Sequence, residues 1–198
     1  MNAIKSAFEF VMDILETIVF IGSLFIITYL FIVQPNQVKG ASMEPTFDSG
    51  DYIFTSKVTY RLRPLYRGDI VVFHAPRNPD IEYIKRIIAV PGDTIMVSDG
   101  QVYLNNQKLN ETYSNSSTGL WQGGYMIDGQ PIRIPSGQVF VMGDNRNRSS
   151  DSREFGPVPT ASIVGHVFYR YFPPDKIGFM ENPLPHTLRL GATTAVRL

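Results

Sequence analysis

The 198 residues balance 18 Lys and Arg against 18 Asp and Glu, with three His and no Cys. Without a basic excess the chain lacks the electrostatic footprint of a nucleic-acid partner, and without cysteine it has no disulfide, thiol nucleophile or thiolate metal site. His74, His166 and His186 are scattered, and neither HExxH nor a glycine-rich phosphate loop occurs, so no metal or cofactor is expected.

Residues 4–16 are amphipathic, and residues 17–38 carry no charge, with an almost wholly apolar core at 18–33. A bilayer core of about 30 Å needs about 20 such residues as helix. The pattern predicts a membrane anchor over residues 1–34, closed by Pro35. A cleaved signal peptide is the alternative. The length of the run and the acidic flank of Glu9, Asp13 and Glu16 oppose it. The flanking charges are too few to assign orientation.

After Pro35 the texture turns to β. Residues 52–57, 70–74, 82–90, 94–97, 139–142 and 163–172 are rich in Val, Ile, Tyr and Phe, with turn formers at 67–69, 76–80 and 91–93. Within TIMVSDGQVYLNNQKL, Asp99-Gly100 and Asn105-Asn106 mark two tight reversals. Residues 105–135 are polar and read as an excursion, a mobile flap or a small cap. Residues 176–198 read as a loosely held tail. The expected fold is mostly β: an antiparallel sheet domain over residues 35–175 on a single N-terminal transmembrane helix.

Three clusters can carry chemistry. In GASMEPT, 40–46, Ser42 is either part of a tether leaving the membrane or a nucleophile held above its surface. In EYIKRIIAVPGD, 82–93, strand alternation puts Lys85 on one side with Tyr83 and Ile87, and Ile84 with Arg86 on the other. Lys85 there is either an edge gatekeeper or a buried amine. GDNRNRSSDSREFGPV, 143–158, reads as an exposed loop whose arginines and aspartates form ion pairs of little worth.

Jointly, and in this order after an anchor, the three clusters resemble the signature segments of type I signal peptidases. SM-E-PT at 42–46, YIKRI-AVPGD at 83–93 and GDNR-N-S-DSR-FG at 143–156 all match, as do GDYIF and RGDIVVF between them. The resemblance covers residues 16–172. It implies a Ser/Lys endopeptidase that removes signal peptides, with Ser42 as nucleophile and Lys85 as general base. It further implies that Ser149 orients the lysine, that Asp151 and Arg153 pair to hold the loop, and that Asp144 and Arg146 support it. Many family members carry a serine two positions before the nucleophile that helps hold the oxyanion. Here that position is Gly40, as in the Gram-positive-like branch, so the oxyanion is expected to rest on the Ser42 N–H and a donor near Gly40.

The residue types suit that chemistry. A free lysine, with a pKa near 10.4, cannot accept a proton at neutral pH; burial among apolar neighbours lowers that value, and a neutral amine can activate a serine. Residues 36–41 and 82–86 are expected to run extended, as two edges between which a peptide is added as a strand. Pockets lined by Val38, Met43, Tyr83 and Ile84 would suit small side chains of an A-x-A site.

The expected partners are signal peptides of exported preproteins, membrane lipid and the export machinery. Sequons at Asn110, Asn115 and Asn147, the last including Ser149, argue against a glycosylating lumen. The expected site is the bacterial plasma membrane, single-pass with the catalytic domain outside the cytoplasm, or a thylakoid membrane. Two rivals are a Ser-Lys protease that cuts itself or one regulatory partner and a tethered β domain that binds exported peptides without cutting them.

Overall fold

The computed structural model describes residues 2–114 and 116–184. Helix α1 (Asn2–Phe31) is followed by twelve strands: β1 (Val33–Gln37), β2 (Tyr52–Ser56), β3 (Ile70–Ala75), β4 (Asn78–Ala89), β5 (Thr94–Ser98), β6 (Gln101–Leu104), β7 (Gln107–Lys108), β8 (Ile132–Arg133), β9 (Gln138–Met142), β10 (Val158–Pro159), β11 (Ile163–Phe172) and β12 (Gly178–Phe179). Two one-turn helices, α2 (Thr59–Leu62) and α3 (Ser152–Phe155), interrupt them. All the strand pairings are antiparallel. The expected mostly-β class is what the chain adopts.

Within α1 an 18-residue stretch reaches a mean hydropathy of 2.2, and none of it is buried against the rest of the protein. By length and composition the helix can cross a membrane. It ends at Phe31, three residues before the expected boundary, and Pro35 does not close it. Pro35 instead sits in β1 opposite Phe54, on an edge strand where its missing N–H costs no ladder bond.

The large sheet runs β1-β2-β11-β3-β4-β9-β10, with β12 added on β11, and a smaller sheet runs β7-β6-β5-β8. Gln34 and Asn36 of β1 hydrogen-bond Glu82 of β4, although three strands separate them in sheet order. The large sheet is therefore curled until its β1 edge faces β4. Alternation along β3 feeds two cores. Val71 and Phe73 pack with Tyr60, Ile87 and Val141, while Ile70 and Val72 pack with Val38, Met43 and Phe47. A third core joins the small sheet to Phe140 and Met142 of β9.

The hairpin tips are as the sequence predicts: Asp99, Gly100, Asn105 and Asn106 all have positive φ, at 51°, 71°, 52° and 66°. Two segments are held more firmly than a flap or a loose tail. The 105–135 excursion is pinned rather than flap-like, since Tyr113, Thr118 and Met126 are buried and β8 pairs with β5. The segment after residue 175 is not loose where it is described. Phe179 pairs with Tyr169, Asn182 Nδ2 donates to the Arg67 carbonyl, and Leu184 is buried in the small-sheet core. The remainder of that expected tail, residues 185–198, lies outside the described residues.

Candidate active site

Strand β4 presents Lys85 opposite Val71 of β3, and the turn after β1 presents Ser42 beside it. Lys85 Nζ lies 2.8 Å from Ser42 Oγ and donates to the Ile84 carbonyl at 2.9 Å. The side chain leans toward the Tyr83 ring, 5.3 Å from its centroid, on the shared face that alternation predicts. Lys85 is only 4% exposed, which decides between the two readings of it: a gatekeeper points into water, and this amine does not. Burial pulls its pKa down from 10.5 to about 8, against Asp151 and Asp144, which raise it, and with a smaller push downward from Arg153.

The backbone around Ser42 departs from the extended path expected over 36–41. It turns at Gly40, whose φ of +89° favours glycine over any L side chain. The Gly40 N–H is bonded to Ser49 Oγ at 3.1 Å, so it is not a spare oxyanion donor. Among the described residues the Ser42 N–H has no hydrogen-bond acceptor and stands free to donate. The Ser42 carbonyl is gripped from the other side by the Asn145 N–H at 3.1 Å.

That grip comes from the third cluster, and the expectation of a loosely paired exposed loop is overturned. Asp151 and Arg153 are wholly buried and joined by two bonds of 2.8 Å, Nε to Oδ1 and Nη2 to Oδ2. Asp151 also caps α3 by accepting the Arg153 N–H, and it takes the Gly143 N–H at 3.0 Å. Ser149 donates its hydroxyl proton to Asp151 Oδ2 at 2.8 Å. The Lys85 amine bonds Ser42 and Ile84, so the expected direct hydrogen bond from Ser149 to the lysine is not the one made. Ser149 has a single hydroxyl proton and the Asp151 carboxylate takes it, because charge-assisted bonds are stronger.

Several contributors escape a reading of the sequence. Asp144 pairs with Arg86, at 2.8 and 2.7 Å, and accepts from Thr46 Oγ1. Arg146 pairs with Glu111 of the excursion and donates to Thr118 Oγ1. The Tyr113 ring lies under the Arg86 guanidinium at 4.3 Å, and Trp121 under Arg153 at 4.5 Å. These are long-range partners; only the position of Arg86 beside Lys85 hinted at one of them.

A cleft of about 300 Å³ opens beside Ser42 and Lys85, lined on its apolar side by Val38, Ile53, Val72, Tyr83 and Ile84. Val38, Tyr83 and Ile84 are where the sequence reading puts them. Met43 is not among them: it is wholly buried and packs in the core with Phe47. Ile53 and Val72 take part instead, brought in by the curl of the sheet. Among the described residues no histidine lines the cleft.

A serine hydroxyl hydrogen-bonded to a desolvated amine, on a curled antiparallel sheet, is an arrangement with which a serine hydrolase can work. The match to known proteins narrows this. The family described as signal peptidase, peptidase S26, matches residues 11–172. A probable signal peptidase I-1 from Synechocystis is 36% identical over 184 residues, 89% of this chain and 90% of that protein. Signal peptidase IB from Staphylococcus aureus is 36% identical over 185 residues, 86% of this chain and 96% of that protein. A crystal structure of a signal peptidase I from Enterococcus faecalis aligns at 36% identity and a TM-score of 0.44, covering 52% of this chain and 95% of that one. The chain belongs to the signal peptidase family S26 and is a serine peptidase.

Proposed function

We propose that this protein is a membrane-bound endopeptidase that removes N-terminal signal peptides from exported preproteins, with Ser42 as nucleophile and Lys85 as general base. One observation carries the reading: a lysine 4% exposed, with its pKa lowered to about 8, lies 2.8 Å from a serine hydroxyl at the edge of a cleft. At pH 7 about a tenth of such an amine is neutral, against less than a thousandth of an ordinary lysine.

The neutral amine takes the Ser42 proton as Oγ attacks the carbonyl carbon of the scissile bond. The Ser42 N–H supports the oxyanion, at a site worth about 10²–10³ in rate per donor. The Lys85 ammonium then gives its proton to the departing amine, leaving an acyl-serine and the free mature chain. Water, deprotonated by Lys85 in its turn, releases the signal peptide. Ser149, Asp151, Arg153, Asp144 and Arg146 hold the loop that grips the Ser42 carbonyl; they act through position rather than by touching substrate.

The free edges of β1 and of β4 before Arg86 face each other, so an extended peptide can add there as a strand. Pockets between Val38, Ile53, Val72 and Ile84 suit the small residues of an A-x-A site. Helix α1 anchors the site at a bacterial plasma membrane, with the β body on the extracytoplasmic side, or at a thylakoid membrane. There it meets precursors, lipid and the export machinery. The test is cleavage of a precursor ending in A-x-A by the full chain in detergent, beside Ser42→Ala. A wild type that binds the precursor without cutting it would make this a tethered binding module; cutting of itself alone would make it a self-processing protease.

A further inference from the structure

The two edges of the groove are tied together by one carboxylate. Glu82 Oε2 on β4 accepts from Gln34 Nε2 at 3.3 Å and from Asn36 Nδ2 at 3.2 Å, both on β1. Gln34 and Asn36 are two apart in a strand, so both side chains point to the same side. Asn36 and Glu82 line the same cleft as Ser42 and Lys85. Two features mark this tie as unfinished. Glu82 has only neutral donors: among the described residues no cation forms an ion pair with it, although Lys39 lines the same cleft. Asn36 Oδ1 is buried without any hydrogen-bond partner, a state that costs stability unless a donor arrives.

We propose that Glu82, with Gln34 and Asn36, forms a polar subsite that reads the substrate residue four or five positions upstream of the cut, favouring a basic or amide side chain and rejecting an acidic one. The inference rests on the peptidase reading above, in which the groove takes the residues before the scissile bond. Strand geometry sets the position: Glu82 lies three residues before Lys85, about 10 Å at about 3.3 Å per residue. A peptide added between the edges must displace the bonds that cross the groove. A Lys or Arg side chain replaces the two amides with a charge-assisted bond to Glu82. A Gln or Asn offers an amide donor to Asn36 Oδ1. An Asp or Glu brings a second negative charge and no donor for either acceptor.

The test uses the full-length protein in detergent and peptides that share one A-x-A site and carry Lys, Gln or Glu singly at the fourth or fifth residue upstream of the cut. Wild type should cleave the Lys and Gln peptides with kcat/KM roughly three- to tenfold above the Glu peptide at one of those positions, the scale of a partly exposed charge pair gained or opposed. Glu82→Gln should bring the Lys/Glu ratio to near one, and Glu82→Lys should invert it. A wild type without preference, or a preference intact in Glu82→Gln, would overturn the subsite alone. A wild type that cuts none of the peptides would overturn the peptidase reading, and this one with it.

Discussion

Asp151 and Arg153 face each other in a two-pronged ion pair, 2.8 Å at each contact, in a place where neither side chain meets solvent. The pair is further bonded on both sides: Arg153 also donates to the Gly119 and Arg146 carbonyls at 2.8 Å, and Asp151 accepts from Ser149 and Gly143. Breaking such a pair strands a buried charge, at about 3–5 kcal/mol. Asp151→Asn and Arg153→Met are each expected to lower unfolding stability by about that amount in urea melts. They should also lose activity together with the grip on Ser42. A loss under about 1 kcal/mol would mean that the loop is held by its excursion contacts instead.

The glycines of the site separate strain from collision. A Cβ at Gly143 would overlap the Ser149 hydroxyl and the Ser42 carbonyl oxygen, neither of which can yield without moving the site. Gly143→Ala should cost about 1–3 kcal/mol of stability and about 10²-fold in kcat, since small misplacements near the chemistry are that expensive. Gly40 has open space around its would-be Cβ but a φ of +89°. Gly40→Ala should cost only the strain, about 1–2 kcal/mol. Thermal melts and kcat measured side by side distinguish the two.

Burying Lys85 should cost stability, with a defined pH dependence. Its pKa is about 8 in the folded chain and 10.5 as the reference value. Between those pH values the unfolded chain holds the proton and the folded chain does not, so stability rises with pH across that window. Below it the penalty is complete, about 3 kcal/mol at about 1.4 kcal/mol per unit. Lys85→Met escapes this penalty. It is expected to be more stable than wild type at pH 7, by up to about 3 kcal/mol, with the gap closing by about pH 10.5 in denaturant titrations. An equally stable or weaker Met variant at pH 7 would place the amine in a wetter setting than its 4% exposure indicates.

How much of this was legible in the sequence follows from which contacts are local. The hairpin at 99–106 was readable because Asp-Gly and Asn-Asn demand positive φ, and each of those four residues has it. Lys85 was readable as sharing a face with Tyr83, because alternation fixes the sides of a strand. Its burial was not, since that depends on Ser42 arriving from 43 residues away. Pro35 misled because a proline after an apolar run stops a helix in most settings, yet an edge strand accepts it equally well. Glu111 and Arg146 carry no signal at all in their own neighbourhoods: 35 residues separate them, and only the folded excursion brings them together.

In the proposed mechanism Ser42 and Lys85 act on one proton, so their losses should not add. Ser42→Ala and Lys85→Ala are each expected to abolish measurable precursor cleavage with the melting curve of a folded protein, and the double variant should be no worse than either. Retained cleavage in either single variant would remove that residue from the chemistry.

The most direct test of a neutral lysine as the base is the pH dependence of kcat/KM on one A-x-A precursor, which reports the ionisation of the free enzyme. The predicted profile rises about tenfold per pH unit at low pH, bends near the lysine value of about 8, and levels above it. A bend near 6.5, the ordinary value for histidine, or a rate that is flat between pH 6 and pH 9, roughly spanning that range on either side, would contradict Lys85 as the proton acceptor.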